Sequence, residues 1–334
     1  MMTALQTTSS QSIMNEIATL LNADMREVES RISSCLSSDA KQISEISTYL
    51  LAQGGKRIRP LLALLSSKLS GLSQPNAALI DIAAGIELIH MATLLHDDII
   101  DQSPVRRHKK SAYAEYGMMP SLLTGDFLLV RAFGLCAKLD PEIVRATERA
   151  CVELTEGEIL EGFLNPGREV SLAEYVDIVA KKTASLFALA CFSGCHTAGG
   201  SKADQENFKK FGHYSGIAFQ MVDDILDVTS SADLLGKPSG TDLKQKTPSL
   251  VNVLWLKSGE TKARDFFAQD EITEEQRIAV VTYLRDSEII EKAKSIAQEY
   301  AGKALEALSD INSGNQKVRL LLENLLNFTL NRVA

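Results

Sequence analysis

Six aspartates in two copies of one pattern, Asp97-Asp98-Ile99-Ile100-Asp101 and Asp223-Asp224-Ile225-Leu226-Asp227, are the residues of this chain best suited to chemistry. Each copy sits inside an otherwise apolar segment, HMATLLHDDIID and AFQMVDDILDV. An uncompensated carboxylate is costly to bury in such surroundings. With acids at i, i+1 and i+4, a helix places the first and third on one face and the second about 100° round. Two such edges facing each other need cations between them. An all-oxygen ligand set favours a hard ion such as Mg2+, which keeps waters and bridges to substrate phosphates. The pattern predicts Mg2+-diphosphate chemistry.

Cations accompany the acids. Gly54-Gly55-Lys56-Arg57-Ile58-Arg59-Pro60 joins flexible backbone to dense positive charge at a helix start, which suits a diphosphate. Arg106-Arg107, just past the first cluster, can clamp phosphate oxygens bidentately. Lys182-Thr183, Gln220 and Lys237 add donors near the second cluster. The chain as a whole is acidic, with 35 Lys+Arg against 43 Asp+Glu and a net charge of −8. That balance, with no basic stripe carrying interleaved aromatics, argues against nucleic-acid binding and for small anionic substrates.

Five cysteines, an odd number scattered through apolar segments, fit a reducing and hence cytoplasmic setting. Cys191, Cys195 and His196 have the wrong spacing for a zinc knuckle and read as packing. Residues 1–12 are polar and uncharged, with no secretory pattern. No segment reaches the ~18–20 uninterrupted apolar residues of a bilayer span. The longest, Ile80 to Ile100, contains Asp81, Glu87 and His90. No transmembrane segment is therefore expected, although transient membrane contact to release a lipid is compatible.

The elements that must position these groups are helices. Helical periodicity runs almost throughout and no convincing alternating strand occurs. It predicts helices near 12–36, 40–52, 59–71, 76–102, 110–116, 120–138, 142–163, 172–198, 204–229, 247–258, 274–284, 287–308 and 315–332. Ser171-x-x-Glu174 and Thr273-x-x-Gln276 read as capping boxes. Several helices are long and apolar on more than one face, so they are central helices surrounded by others. With no long linker, the expected organisation is a polar tail over 1–12 and a single all-α domain over 13–334.

The ensemble GGKRIRP, LLHDDIID…RR, GDFLLVRAF, KKT, FQMVDDILD and GK…TDLKQ, in unbroken order from about residue 45 to 260, resembles the trans-type isoprenyl diphosphate synthases, or polyprenyl synthetases. The resemblance implies an isoprenoid-synthase-type helical bundle around a deep central cavity, usually a homodimer. It implies head-to-tail condensation of isopentenyl diphosphate onto an allylic diphosphate such as farnesyl diphosphate. Carried over by position, Lys56, Arg59, His90 and Arg107 would bind isopentenyl diphosphate. Asp97, Asp98, Asp101, Asp223, Asp224 and Asp227 would hold three Mg2+ ions on the allylic diphosphate. Arg106, Lys182, Thr183, Gln220, Lys237 and Lys246 would complete that site. One departure is His108-Lys109-Lys110, where relatives usually have a glycine after the arginine pair.

The residue types suit that reaction. Cations neutralise the departing diphosphate as the allylic C–O bond ionises, and apolar walls shield the carbocation from water. The departing diphosphate is the plausible base, so no Ser-His-Asp or Cys-His set is needed. His90 lies seven residues before Asp97, almost two turns, and so shares its face.

Product length depends on how far the cavity runs beneath the aspartates. Gly85, Ile89, Ala92, Thr93 and His96 form one stripe beside the Asp97/Asp101/His90 edge. In the family it resembles, bulky aromatics four and five residues before the first aspartate stop growth early; here those positions hold Thr93 and Ala92. A helix over 76–101 is about 39 Å long and could flank roughly eight isoprene units at ~5 Å each. The expectation is a long-chain product of eight to ten units, as used for quinone side chains. Ile86, Ile89 or Phe133 could set a shallower floor and give a farnesyl or geranylgeranyl product. A terpene cyclase would normally carry a different second metal motif and need no GGKRIRP. A non-catalytic synthase subunit tends to lose one aspartate motif, and both are intact here.

Overall fold

Helix α4 (Ala77–Ile100) and helix α10 (Lys202–Thr229) each carry one aspartate cluster at the C-terminal end. That end of a helix is the negative pole of its dipole, so six acids gathered at two such ends raise the demand for cations further. Everything else in the fold bears on how these two ends meet. The computed structural model describes residues 10–163, 169–231, 238–312 and 315–332.

The element order is α1 (Ser10–Cys35), α2 (Lys41–Ala52), α3 (Ile58–Leu69), α4, a two-stranded antiparallel hairpin of β1 (Val105–Arg106) and β2 (Lys109–Lys110), α5 (Ala112–Tyr116), α6 (Met118–Cys136), α7 (Pro141–Gly162), α8 (Leu172–Val179), a π-helical turn (Ala180–Ala184), α9 (Ser185–Thr197), α10, α11 (Thr241–Gln245), α12 (Leu250–Lys257), α13 (Thr261–Phe267), α14 (Glu274–Arg285), α15 (Glu288–Ser309) and α16 (Gln316–Leu330). The all-α class is borne out, and the expected helices are found to within a few residues. Of the expected tail, residues 1–9 lie outside the described residues, and Ser10 already opens α1.

Local chemistry sets the boundaries. Asn76 caps α4 by accepting from the Leu79 amide, and Asp140 caps α7 ahead of Pro141. Both capping boxes form, at Ser171–Glu174 and Thr273–Gln276. Helix α4 lies against α6 on one side and touches α1, α3 and α9; α10 packs on α9 and α15. A β-carbon at Gly216 of α10 would lie 2.6 Å from Ala184 Cα, so this glycine lets α10 approach the π turn closely.

One expectation about the chain is corrected. The hairpin was not expected; its strands are two residues each, too short for alternation to register. Three helical stretches are also long and apolar enough to cross a membrane by length and composition: Ala77–Ile100, Met118–Cys136 and Leu172–Thr197. A few acids do not cancel a mean hydropathy of 1.3 to 1.7. Burial inside the bundle covers 72% and 78% of the first and third, but only 33% of α6. The outer face of α6 and α7 shows Met119, Val130, Phe133, Ile159 and Phe163 to the outside. All five cysteines are free thiols, four of them buried.

Candidate active site

A single cavity of about 1110 Å3 opens between the C-terminal ends of α4 and α10, and the basic loop forms its opposite wall. Gly54 and Gly55 have φ of +81° and +152°, a region that side chains rarely adopt, and they turn the chain so that Lys56, Arg57 and Arg59 gather at the start of α3. Arg57 donates to Glu87 on α4 at 3.0 Å, and Arg107 donates to the Gly54 carbonyl. Arg59 stacks on the Phe187 ring at 5.0 Å; burial lowers its pKa, and Glu87, Asp223 and Asp97 counter that by favouring its charge. Lys56 lies over Phe328 at 5.1 Å. His90 lines the same wall, and burial together with Arg59, Arg106, Arg107 and Arg57 holds its pKa well below the usual imidazole value. It is a neutral imidazole inside an arginine cluster.

The six aspartates divide into two groups. Asp97, Asp101, Asp223 and Asp224 border the cavity. Asp98 is only 1% exposed and turned away, where both its oxygens accept from Arg106 Nε at 2.9 and 3.0 Å. Asp227 is 2% exposed and accepts from the Asp242 amide at 3.1 Å. Asp224 is engaged by the Tyr175 hydroxyl at 2.7 Å, by Gln220 at 3.0 Å and by the Leu250 amide at 2.8 Å. Four of the six aspartates therefore face the cavity, while Asp98 and Asp227 are engaged within the protein. The i+1 residue of the first cluster faces another side of its helix, and the i+4 residue of the second ties down the 238–242 loop.

Lys182 stands between α4 and α7. Its ammonium bridges Glu158, at 2.8 Å, and Glu161. Burial opposes its charge, but Glu161, Glu158 and Asp97 outweigh burial and raise its pKa. The π turn sets Lys182 and Thr183 against α7, where a β-carbon on Gly157 would lie 2.7 Å from the Lys182 amide nitrogen. Thr183 donates to Gln220 at 3.0 Å. Gln245 reaches the Asp101 carbonyl at 3.4 Å and links the two halves of the site. Lys246 borders the cavity and donates to the Gln269 carbonyl. Lys237 lies outside the described residues. Glu158, Glu161, Tyr175, Asp242 and Arg332 also border the cavity and were not anticipated. Glu158 and Glu161, three residues apart on one helix face, were the one legible signal among them.

The chain-length positions separate as well. Thr93 borders the cavity, but Ile89 and Ala92 are 1% and 0% exposed and do not line it. A β-carbon on Gly85 would meet Cys136 and Ala132, and His96 Nε2 lies 3.3 Å from the Leu122 carbonyl, so the stripe packs against α6 instead. Phe133 is 43% exposed on the outer face of α6, which corrects its expected place at the cavity floor.

The residues present fit a hard divalent ion. Burial pushes Asp97 up to about 7, with Glu158 adding to the rise and Lys182 and Arg106 opposing it; Asp101 is raised by burial too. Carboxylates held above their ordinary range beside a cavity bind cations in competition with protons. The affinity for Mg2+ with inorganic diphosphate should therefore rise about tenfold between pH 6 and pH 8, as Asp97 loses its proton. Calorimetry showing a flat affinity across that window would contradict this. The fold without metal should respond oppositely. A folded pKa above the ordinary 3.8 means stability is lost as pH rises from about 4 through 7, and Asp224, near 6, acts in the same sense.

Comparison with known proteins agrees with this geometry. The polyprenyl synthetase family model matches residues 40–284. The octaprenyl diphosphate synthase of Haemophilus influenzae is 34% identical over 311 residues, covering 92% of this chain and 94% of that protein. The geranylgeranyl diphosphate synthase of Methanosarcina mazei is 32% identical, over 82% of this chain and 86% of its own length. A polyprenyl synthase from Caulobacter crescentus, solved with calcium and isoprenyl diphosphate, superposes with a TM-score of 0.89 at 33% identity, covering 96% of this chain and 98% of that one. The chain belongs to the polyprenyl synthetase family of trans-type prenyltransferases.

Proposed function

We propose that this enzyme condenses isopentenyl diphosphate head-to-tail onto an allylic diphosphate such as farnesyl diphosphate, releasing diphosphate and making an all-trans chain of eight to ten units, the length attached to quinones. The observation that carries the reading is one cavity with Lys56, Arg59 and Arg107 on one wall and Asp97, Asp101 and Asp223 on the facing helix ends. Two diphosphates fit that division, one held by side-chain cations alone and one through metal.

Lys56, Arg59 and Arg107 hold the isopentenyl diphosphate, beside the neutral His90. Asp97, Asp101 and Asp223 would hold Mg2+, which would supply Lewis-acid neutralisation of the allylic diphosphate when bound. Lys182, Thr183 and Gln220 orient that diphosphate, and Arg106, fixed by Asp98, meets it at the rim. Leu154, Ile178, Phe187 and Phe219 wall the cavity and keep water from the allylic cation. Relatives making octaprenyl and nonaprenyl products, at 34% and 33% identity, support the long chain, as does the lack of an aromatic at Thr93, which borders the cavity. The geranylgeranyl relative favours a shorter product as the second reading.

The exposed apolar face of α6 and α7, including Met119 at 70% and Phe163 at 80%, suits a homodimer contact in a cytoplasmic enzyme. Incubation with farnesyl diphosphate, isopentenyl diphosphate and Mg2+, followed by product sizing, tests the assignment. Products of 40 to 50 carbons are expected; products stopping at 20 carbons would establish the shorter reading, and no elongation would overturn both.

A further inference from the structure

A second pocket, of about 460 Å3, lies between the N-terminal halves of α7, α9 and α10. Its floor is Ala146, Ala150, Ala188, Leu189 and Phe192, and its mouth holds Arg145, Arg149, Lys202 and Lys209. Lys202 is paired with Glu142. Among the described residues Arg145, Arg149 and Lys209 have no ion-pair partner, and they face two remaining carboxylates, Glu153 and Glu206. The mouth is therefore a cationic spot on a chain of net charge −8.

The inner wall of the pocket also carries a polar group. Ser185 lines this pocket, is 4% exposed, and its hydroxyl has no hydrogen-bond partner in the protein. A helical serine ordinarily bonds back to a carbonyl one turn earlier. Ser185 directly follows the π turn, where the backbone bonding register shifts by a residue. A buried hydroxyl left unmatched is costly, so the wall of the pocket at Ser185 is imperfectly satisfied by the protein itself.

We infer that this pocket is a second binding site, for an amphiphilic phosphate ester with an alkyl or prenyl chain of about ten to fifteen carbons, a size suited to a few-hundred-Å3 pocket. The phosphate sits on Arg145, Arg149 and Lys209, and the chain lies on the alanine, leucine and phenylalanine floor. The site stands back to back with the catalytic cavity. Ser185, Ala188, Leu189 and Phe192 form one face of α9, whereas Thr183 and Phe187 face the cavity. Binding there does not depend on which product the enzyme makes.

The test is calorimetric titration of the full-length protein, in EDTA, with decyl phosphate kept below its micelle concentration. One equivalent should bind, and Arg145→Glu/Arg149→Glu should weaken it tenfold or more while leaving turnover with farnesyl diphosphate unchanged. Inorganic phosphate and decanol should each bind at least tenfold more weakly. Geranyl phosphate run in parallel distinguishes a prenyl-selective site from one for alkyl phosphates generally, and either result supports the site. Unchanged binding in the double variant overturns the inference, as does loss of binding in Lys56→Ala/Arg59→Ala, which would place the ligand in the catalytic cavity. Equal binding of decyltrimethylammonium would overturn it too.

Discussion

Replacing Asp97 with alanine is expected to lower kcat by about a thousandfold while leaving the melting temperature unchanged or higher. Asp97 borders the cavity and is pushed up to about 7 by burial, so without metal its charge is a burden on the fold. Metal neutralisation of a departing diphosphate is worth several kcal/mol. At about 1.4 kcal/mol per decade of rate, losing ~4 kcal/mol of it gives the thousandfold figure. Asp98→Ala should behave differently, although it is the adjacent residue. It removes both acceptors of Arg106 Nε and the 2.7 Å contact to Nη2, leaving a guanidinium only 23% exposed without its partner. Breaking a buried pair from one side costs about 3 kcal/mol, so Asp98→Ala should lower the melting temperature clearly and impair catalysis through the misplaced Arg106. Steady-state kinetics and thermal melts on both variants separate the roles. Near wild-type turnover in Asp97→Ala would sink the metal assignment, and equal melting temperatures in the two would sink the division between them.

That division shows what the sequence could and could not reveal. Periodicity located the long helices because each buries a broad apolar face, and the cap residues marked their ends. The D-D-x-x-D pattern and GGKRIRP were legible because charge in apolar surroundings is conspicuous. Which oxygen faces the cavity depends on partners far along the chain. Tyr175 reaches Asp224 across 49 residues, and Arg332, at the end of the last helix, donates to Asp223 at 2.7 Å across 109. Periodicity alone reads the π turn at 180–184 as continuous helix, since a fixed 100° step hides an i→i+5 register. The short helices α11 and α13, five and seven residues, offer too few turns for a period. Thr247-Pro248 delayed α12 to Leu250, because the residue before proline avoids the helical region and Ser249 then provides the cap. The chain-length stripe lies on α4, but α6 covers most of it.

That covering makes Thr93→Phe the sharper test of product length. Thr93 borders the cavity one turn before Asp97, with its hydroxyl tied to the His90 carbonyl at 2.9 Å. A phenyl ring there should stop growth at about four units, shifting products from 40 or more carbons to 20 while the first condensation onto farnesyl diphosphate continues at a rate within a few-fold of wild type. Ala92→Phe should act differently, because Ala92 is fully buried. Added volume in a packed seam costs about 1–3 kcal/mol in strain, so its first effect should be a lower melting temperature. A chain that runs past Thr93 beyond the open cavity would part α4 from α6, at the seam where Gly85, Ala92 and Ala132 are small. Sizing the products of both variants with farnesyl diphosphate as primer decides the matter. An unchanged distribution in Thr93→Phe would mean that the growing chain leaves the aspartates by another wall of the cavity, past Leu154 and Ile178.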